Sequence, residues 1–150
     1  MARVALGALI LALLFLAFGG LYGGTSMLLD PSGAALGMDV VLPQLPVASF
    51  VLPGLFLIVV MGLLPIVLAY GLVARPAWPF ADAAARRAGH HWAWSGTLAL
   101  GLVLGAWLVL HAALIGFAWP IQFVTAGNAV VIVALALLPN VRRTFVHPHR

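Results

Sequence analysis

Four long stretches of this chain contain no Asp, Glu, Lys or Arg. They run from Val4 to Tyr22, Phe50 to Val73, Trp92 to Phe117 and Trp119 to Leu138. A helix needs about 20 mostly apolar residues to cross a bilayer, and each stretch is close to that length or longer. The stretches are continuous, lack period-two alternation and far exceed the ~10 residues of a barrel strand. They are therefore read as helices. The rest of the composition agrees. Of 150 residues, 65% are apolar and only 7% charged, too few charges to coat a soluble surface of this size. Disorder is excluded because it requires low hydrophobicity. The fold class expected is an all-α membrane protein: a four-transmembrane-helix bundle in a single domain, residues 1–150, with a long structured outer loop between helices 1 and 2.

The charges that remain are ordered. All seven basic residues are Arg. Arg3 precedes helix 1, Arg75, Arg86 and Arg87 lie in the connection 74–91, and Arg142, Arg143 and Arg150 lie in the tail 139–150. The connections 23–49 and 116–118 carry none. With four spans every Arg falls on one side, which the positive-inside rule makes cytoplasmic. Both termini are then expected inside a bacterial inner membrane. The first stretch mimics a signal peptide through Arg3, Ala17 and Gly19, but its apolar core is longer than a usual one. Retention is expected. Trp78, Trp92, Trp94 and Trp119 sit where headgroup-level aromatics belong, whereas Trp107 lies mid-span and is read as packing.

Several chemistries are excluded or disfavoured by what is missing. Cysteine is absent, so there is no disulfide scaffold, thiolate site or Cys nucleophile. The sequence pI of 11.3 comes from Arg at segment ends without a basic face, so no nucleic-acid partner is expected. His90 and His91 are adjacent, and His147 and His149 flank a Pro in the tail; neither pair has a one-face ligand spacing. Only His111 lies within a span as an axial haem ligand candidate. No catalytic carboxylate pair occurs in the spans. No catalytic residue, metal or cofactor is assigned, and a non-enzymatic role is expected ahead of an enzymatic one.

The remaining candidates concern packing and one polar cluster. Gly19 and Gly23, Gly20 and Gly24, and Gly101 and Gly105 have the four-residue spacing that lets helices approach closely. Packing within the chain is expected first, with a homodimer seam as the rival. Pro65 is expected to kink helix 2. At about 1.5 Å per residue, His111 lies ~9 Å and Asn128 ~13 Å from the outer ends of their helices. Gln122, Thr125, Tyr22, Asp30 and Asp39 fall toward the same side. One reading makes these seven an outward-facing ligand pocket with His111 as its titratable member. The other makes His111, Gln122 and Asn128 hydrogen-bonding glue between helices, and is favoured. The outer connection contains Asp30-Pro31-Ser32-Gly33, a turn sequence, and a stretch from Met38 to Pro46 too apolar for free solution. It is expected to fold onto the bundle or the interface in short helical or extended pieces. Residues 80–88 are expected to form a short surface helix, and the tail to fray.

The segments Leu21-Tyr22-Gly23-Gly24, Leu29-Asp30-Pro31-Ser32-Gly33, Leu36-Gly37-Met38, Leu52-Pro53-Gly54-Leu55, Leu114-Ile115-Gly116-Phe117 and Pro120-Ile121-Gln122 together resemble a group of small four-span bacterial integral membrane proteins described as uncharacterised. In that group the Gln is commonly followed by Pro; here Phe123 follows. The resemblance implies a four-helix membrane fold with a structured outer loop, and no reaction. Three functions remain: a membrane protein acting through packing, lipid or partner contacts; a small-ligand or lipid-binding protein using the outer cluster; and an accessory subunit of a membrane enzyme or transporter. Expected partners are membrane lipids, with a homo-oligomer or membrane-complex partner as the protein alternative.

Overall fold

The structure is a computed structural model, and it describes residues 2–85, 89–117 and 119–146. Four helices are long and apolar enough to cross a membrane: α1 (Ala2–Leu29), α2 (Val51–Ala74), α4 (Trp92–Ile115) and α5 (Pro120–Leu137). Between α2 and α4 lies the short α3 (Pro79–Ala85), and after α5 come α6 (Pro139–Arg142) and a 3-10 turn, Arg143–Phe145. The only β-type pairing among the described residues is a single bridge between His90 and Val146.

The contacts define an up-and-down bundle. Gly24 of α1 lies against Gly54 and Ile58 of α2, and Gly20 against Met61 and Gly62, so these helices run antiparallel. Gly71 and Leu68 of α2 meet Trp92 and Gly96 of α4 in the same sense. Gly101 of α4 meets Val133 of α5, and Asn128 of α5 reaches Ala12 of α1. Each long helix thus has two long neighbours. Leu9, Leu13, Leu72, Leu100, Leu104, Ile132 and Ala136 fill the space between them. The outward faces are apolar as well: Phe18 is 72% exposed, Leu102 77% and Val109 71%. Water would penalise such faces at about 25 cal/mol per Å², whereas hydrocarbon does not. This pattern is that of a multi-pass membrane protein.

Helix 1 is longer than the sequence reading had it. Instead of ending at Tyr22 it continues to Leu29, spanning ~42 Å at 1.5 Å per residue against a hydrocarbon core of ~30 Å. Ser26 does not end the helix but is satisfied within it, its hydroxyl donating to the Tyr22 carbonyl four residues back at 2.9 Å. The connection to α2 therefore starts at Asp30 rather than residue 23. Smaller shifts bring α2 to Val51–Ala74, α4 to an end at Ile115, and α5 to Pro120–Leu137.

Pro65 leaves a specific mark on α2. The helix takes a π-type register over Leu57–Leu63, in which the Leu64 N–H bonds the Val59 carbonyl five residues back. Proline has no N–H for the carbonyl four residues earlier and its ring crowds that carbonyl, which here is Met61's. Met61 lies within the wider turn, and its backbone is the part of α2 that meets α1. Gly20 faces it, with the Met61 carbonyl oxygen 2.6 Å from where a Cβ would stand. Glycine at 20 is thus coupled to the irregularity at 65.

The tail also departs from expectation. Rather than fraying, residues 139–145 turn back on the bundle, with Val141 and Phe145 buried at 1% and 3% exposure. Two apolar side chains four residues apart on a helical turn supply the anchor. The expectations for Arg86–Arg87 and for His147, His149 and Arg150 fall outside the described residues.

Candidate functional site

Residues 30–50, 116, 117 and 119 share one end of the bundle, the loop end. Residues 75–85, 89–91 and 138–146 share the other, the basic end. At the loop end the side chains of the expected polar pocket have separate occupations. The Gln122 side chain, 2% exposed, stands at the third position of α5. Its Oε1 accepts the Trp119 N–H at 2.9 Å, and its Nε2 donates to the Gly116 carbonyl at 2.9 Å. It thereby fastens the start of α5 to the end of α4, serving a terminal N–H that has no partner within the helix. Pro120, two residues earlier, suits the first helical position. The Asn128 amide donates to the Ala12 carbonyl at 3.1 Å, tying α5 to α1. Thr125 is half-buried on α5, and Tyr22 is 64% exposed on α1.

The two carboxylates of this end belong to the connection. Asp30 accepts the Ser32 hydroxyl at 2.6 Å and the Ala35 N–H at 2.8 Å. Asp39 opens the 3-10 turn Asp39–Gln44 and is exposed. Gly33, at φ 79°, closes the turn after Asp30, and a Cβ there would stand 2.5 Å from the Phe50 ring. Phe50, Val41 and Met27 form a small second core under this connection.

The Ser32 hydroxyl, then the Ala35 N–H, hold the Asp30 carboxyl below the usual carboxylate range. The unfolded chain therefore takes up a proton at higher pH than the folded one. The turn's stabilisation is present above the ordinary value and disappears as pH falls through the lowered one. The expected result is a stability gap between wild type and Asp30→Asn at neutral pH that closes on acidification, read by thermal unfolding in micelles across the acid range. A pH-independent gap would contradict it.

His111 is the exception among the seven. Its ring tilts against Trp107, centroids 4.6 Å apart, and Trp107 stacks in turn on Phe56 at 4.3 Å. Beside this pair lies an open apolar cleft lined by Phe56, Val103, Ala106, Trp107 and Leu110. The cleft faces outward between α2 and α4. Gln122 and Asn128 do not line it.

The Gly positions divide in the same residue-by-residue way. A Cβ at Gly20 or Gly24 would meet α2 backbone, at Gly23 the Leu57 side chain at 3.1 Å, and at Gly101 the Val133 side chain at 2.4 Å. At Gly19 and Gly105 nothing lies within 4 Å.

The denser polar constellation is at the basic end, where the sequence reading saw only interfacial residues. His91 caps α4, its Nδ1 accepting the Ala93 N–H at 3.3 Å, and its backbone N–H bonds the Phe145 carbonyl at 2.8 Å. The indole N–H of Trp94 donates to the Ala136 carbonyl at 2.9 Å, and that of Trp92 to the Pro76 carbonyl at 3.0 Å. His90 stacks on Trp94 at 4.3 Å, and the Arg142 Nε donates to His90 Nε2 at 3.3 Å. The Arg75 guanidinium sits 4.8 Å above the Phe145 ring, and that of Arg142 5.9 Å from the Trp94 ring. Trp78 stacks on Trp92 at 4.6 Å. The signal for this cluster was the sequence His90-His91-Trp92-Ala93-Trp94. Its partners, Arg142 and Phe145, are some fifty residues away in the chain, so spacing could not reveal it. Among the described residues no group of three or more His, Cys, Asp or Glu forms a metal site.

Compared with family models, curated proteins and solved structures, the chain matches none.

Proposed function

We propose that this chain is a non-catalytic integral protein of a bacterial inner membrane, with both termini and the basic end in the cytoplasm. It works through its contacts with lipid and with a membrane partner. The observation that supports this reading most is the use made of the deep polar groups: Gln122 and Asn128 are committed to the connections between helices. Polar side chains in a membrane either face a functional cavity or join helices, and these two join helices. The placement of Arg3, Arg75, Arg142 and Arg143 around one end supports the orientation through the positive-inside rule.

A second reading, binding of a small amphipathic ligand, draws on the position of His111 beside the apolar cleft between α2 and α4. Native mass spectrometry from detergent-free membrane vesicles separates the two. The first reading expects the chain with phospholipid adducts only. A stoichiometric non-lipid adduct that disappears in His111→Leu would replace it with the second.

A further inference from the structure

We propose that the basic end holds the phosphate of an anionic phospholipid between Arg75 and Arg142. The inference rests on the membrane reading above and names the lipid chemistry that its surface selects.

Arg75 lies on the Phe145 ring and Arg142 beside the Trp94 ring, and the sequence neighbours His91 and His90, which contact these two rings in turn, link them into one platform. Arg75 follows α2 directly, in a left-handed backbone conformation at φ 49°, with its N–H bonded to the Gly71 carbonyl at 3.1 Å. Its guanidinium lies over Phe145, and Phe145 in turn lies 6.4 Å from the His91 ring. Arg142 lies beside Trp94, on which His90 stacks. The platform is firm, since His90, Trp94 and Phe145 are each more than nine-tenths buried. The Arg side chains themselves are exposed.

Their charge is unanswered within the described protein. Neither Arg75 nor Arg142 pairs with a carboxylate there, and two of the three acids, Asp30 and Asp39, lie at the opposite end. Asp82 on α3 makes no ion pair with either. His90 takes the Arg142 Nε–H and leaves the two terminal NH₂ groups of that side chain for an outside acceptor. Guanidinium forks suit phosphate oxygens, which accept two parallel N–H bonds. Stacking on a ring fixes the fork's plane in advance and reduces the entropy lost on binding.

The location supplies the ligand. Both Arg lie just beyond the ends of spans, α2 and α5, at the level where Trp78 and Trp92 stack. Indole rings prefer the headgroup layer, and anionic headgroups attract guanidinium there by about fivefold per Arg. Arg143, next in sequence to Arg142, is equally exposed but has no ring contact among the described residues. It serves as the internal control.

The test uses the full chain reconstituted in phosphatidylcholine vesicles containing a minority of phosphatidylglycerol brominated on its acyl chains. Tryptophan quenching is compared with that by brominated phosphatidylcholine at equal mole fraction. The expected local enrichment of phosphatidylglycerol is about twenty-five-fold, about fivefold from each Arg. It falls to about unity in Arg75→Gln/Arg142→Gln, stays within about twofold of wild type in Arg143→Gln, and is partly kept in Arg75→Lys/Arg142→Lys. Equal quenching by both lipids in wild type overturns the proposal, as does an Arg143→Gln loss matching that of the pair. An excess of inorganic phosphate at constant ionic strength is expected to leave the enrichment unchanged; displacement by phosphate would assign the site to the free anion instead and overturn the lipid assignment. If the double Gln variant fails to show the wild-type thermal transition in phosphatidylcholine alone, Arg75→Lys replaces it, with a loss of at least twofold expected and no loss overturning the proposal. Vesicle enrichment does not depend on which face is cytoplasmic, so its failure is distinguishable from failure of the orientation.

Discussion

Gly20→Ala is expected to destabilise the bundle by about 2–3 kcal/mol, while Gly19→Ala leaves it unchanged or slightly more stable. The two positions are adjacent, both apolar and both helical, and differ only in what faces them. A Cβ on Gly20 would stand 2.4 Å from the Met61 carbonyl carbon, 2.6 Å from its oxygen and 2.7 Å from the Gly62 nitrogen. These are backbone atoms, so no rotamer change makes room; α1 and α2 have to separate. Met61 lies within the π-type turn before Pro65, so the effect is read at the irregular part of α2. At Gly19 nothing lies within 4 Å, and alanine there gains helix propensity. Gly101→Ala falls between, because its obstacle is a Val133 methyl at 2.4 Å. Adding Val133→Ala is expected to recover part of its loss. Unfolding in mixed micelles reads all four variants. Equal effects at 19 and 20 would show that the α1–α2 crossing is not built as described.

Gln122→Leu is expected to lower stability by about 2 kcal/mol, although it replaces a polar side chain by an apolar one in an apolar protein. The side chain bonds the Trp119 N–H and the Gly116 carbonyl, both at 2.9 Å. Leucine fills a similar volume but leaves that donor and that acceptor without their partner, each a loss of about 1 kcal/mol or more. Gly116 stands at φ 74°, ending α4, with its N–H bonded to Ala112. The Gln122 amide is what carries the chain from there into α5. Hydrogen exchange at the Trp119 amide is therefore expected to accelerate in the variant together with the loss of stability. Unchanged stability and exchange would return Gln122 to the ligand-pocket reading.

The parts of the architecture written in local pattern were legible. Four uninterrupted apolar stretches require four helices whatever their partners, and the charge-free segments between Arg clusters divide them into the same number. Boundaries were less legible, because a polar residue can be satisfied inside a helix. Thr25 and Ser26 read as an end, yet the Ser26 hydroxyl bonds back to Tyr22 and the helix continues to Leu29. The roles of Gln122 and Asn128 as helix connectors followed from the expense of unpaired polar groups in hydrocarbon. What spacing alone could not provide was meeting across the fold. Asp30 reads as a pocket acid but serves its own turn, and His111 belongs with Trp107 and an apolar cleft. His90 and His91, set aside for lacking metal spacing, became part of the most connected polar region, because Arg142 and Phe145 arrive from a tail that was expected to fray.

Everything else requires four helices to cross a bilayer with the basic end inside the cell. Single cysteines are available without background, since the chain has none. Ser32→Cys, in the connection after α1, and Ala77→Cys, between α2 and α3, are exposed sites at opposite ends of the bundle. In intact cells a membrane-impermeant maleimide is expected to label the cysteine at 32 and to reach the one at 77 only after the membrane is opened. Labelling of both, or of 77 alone, in intact cells would contradict the topology on which the rest is built.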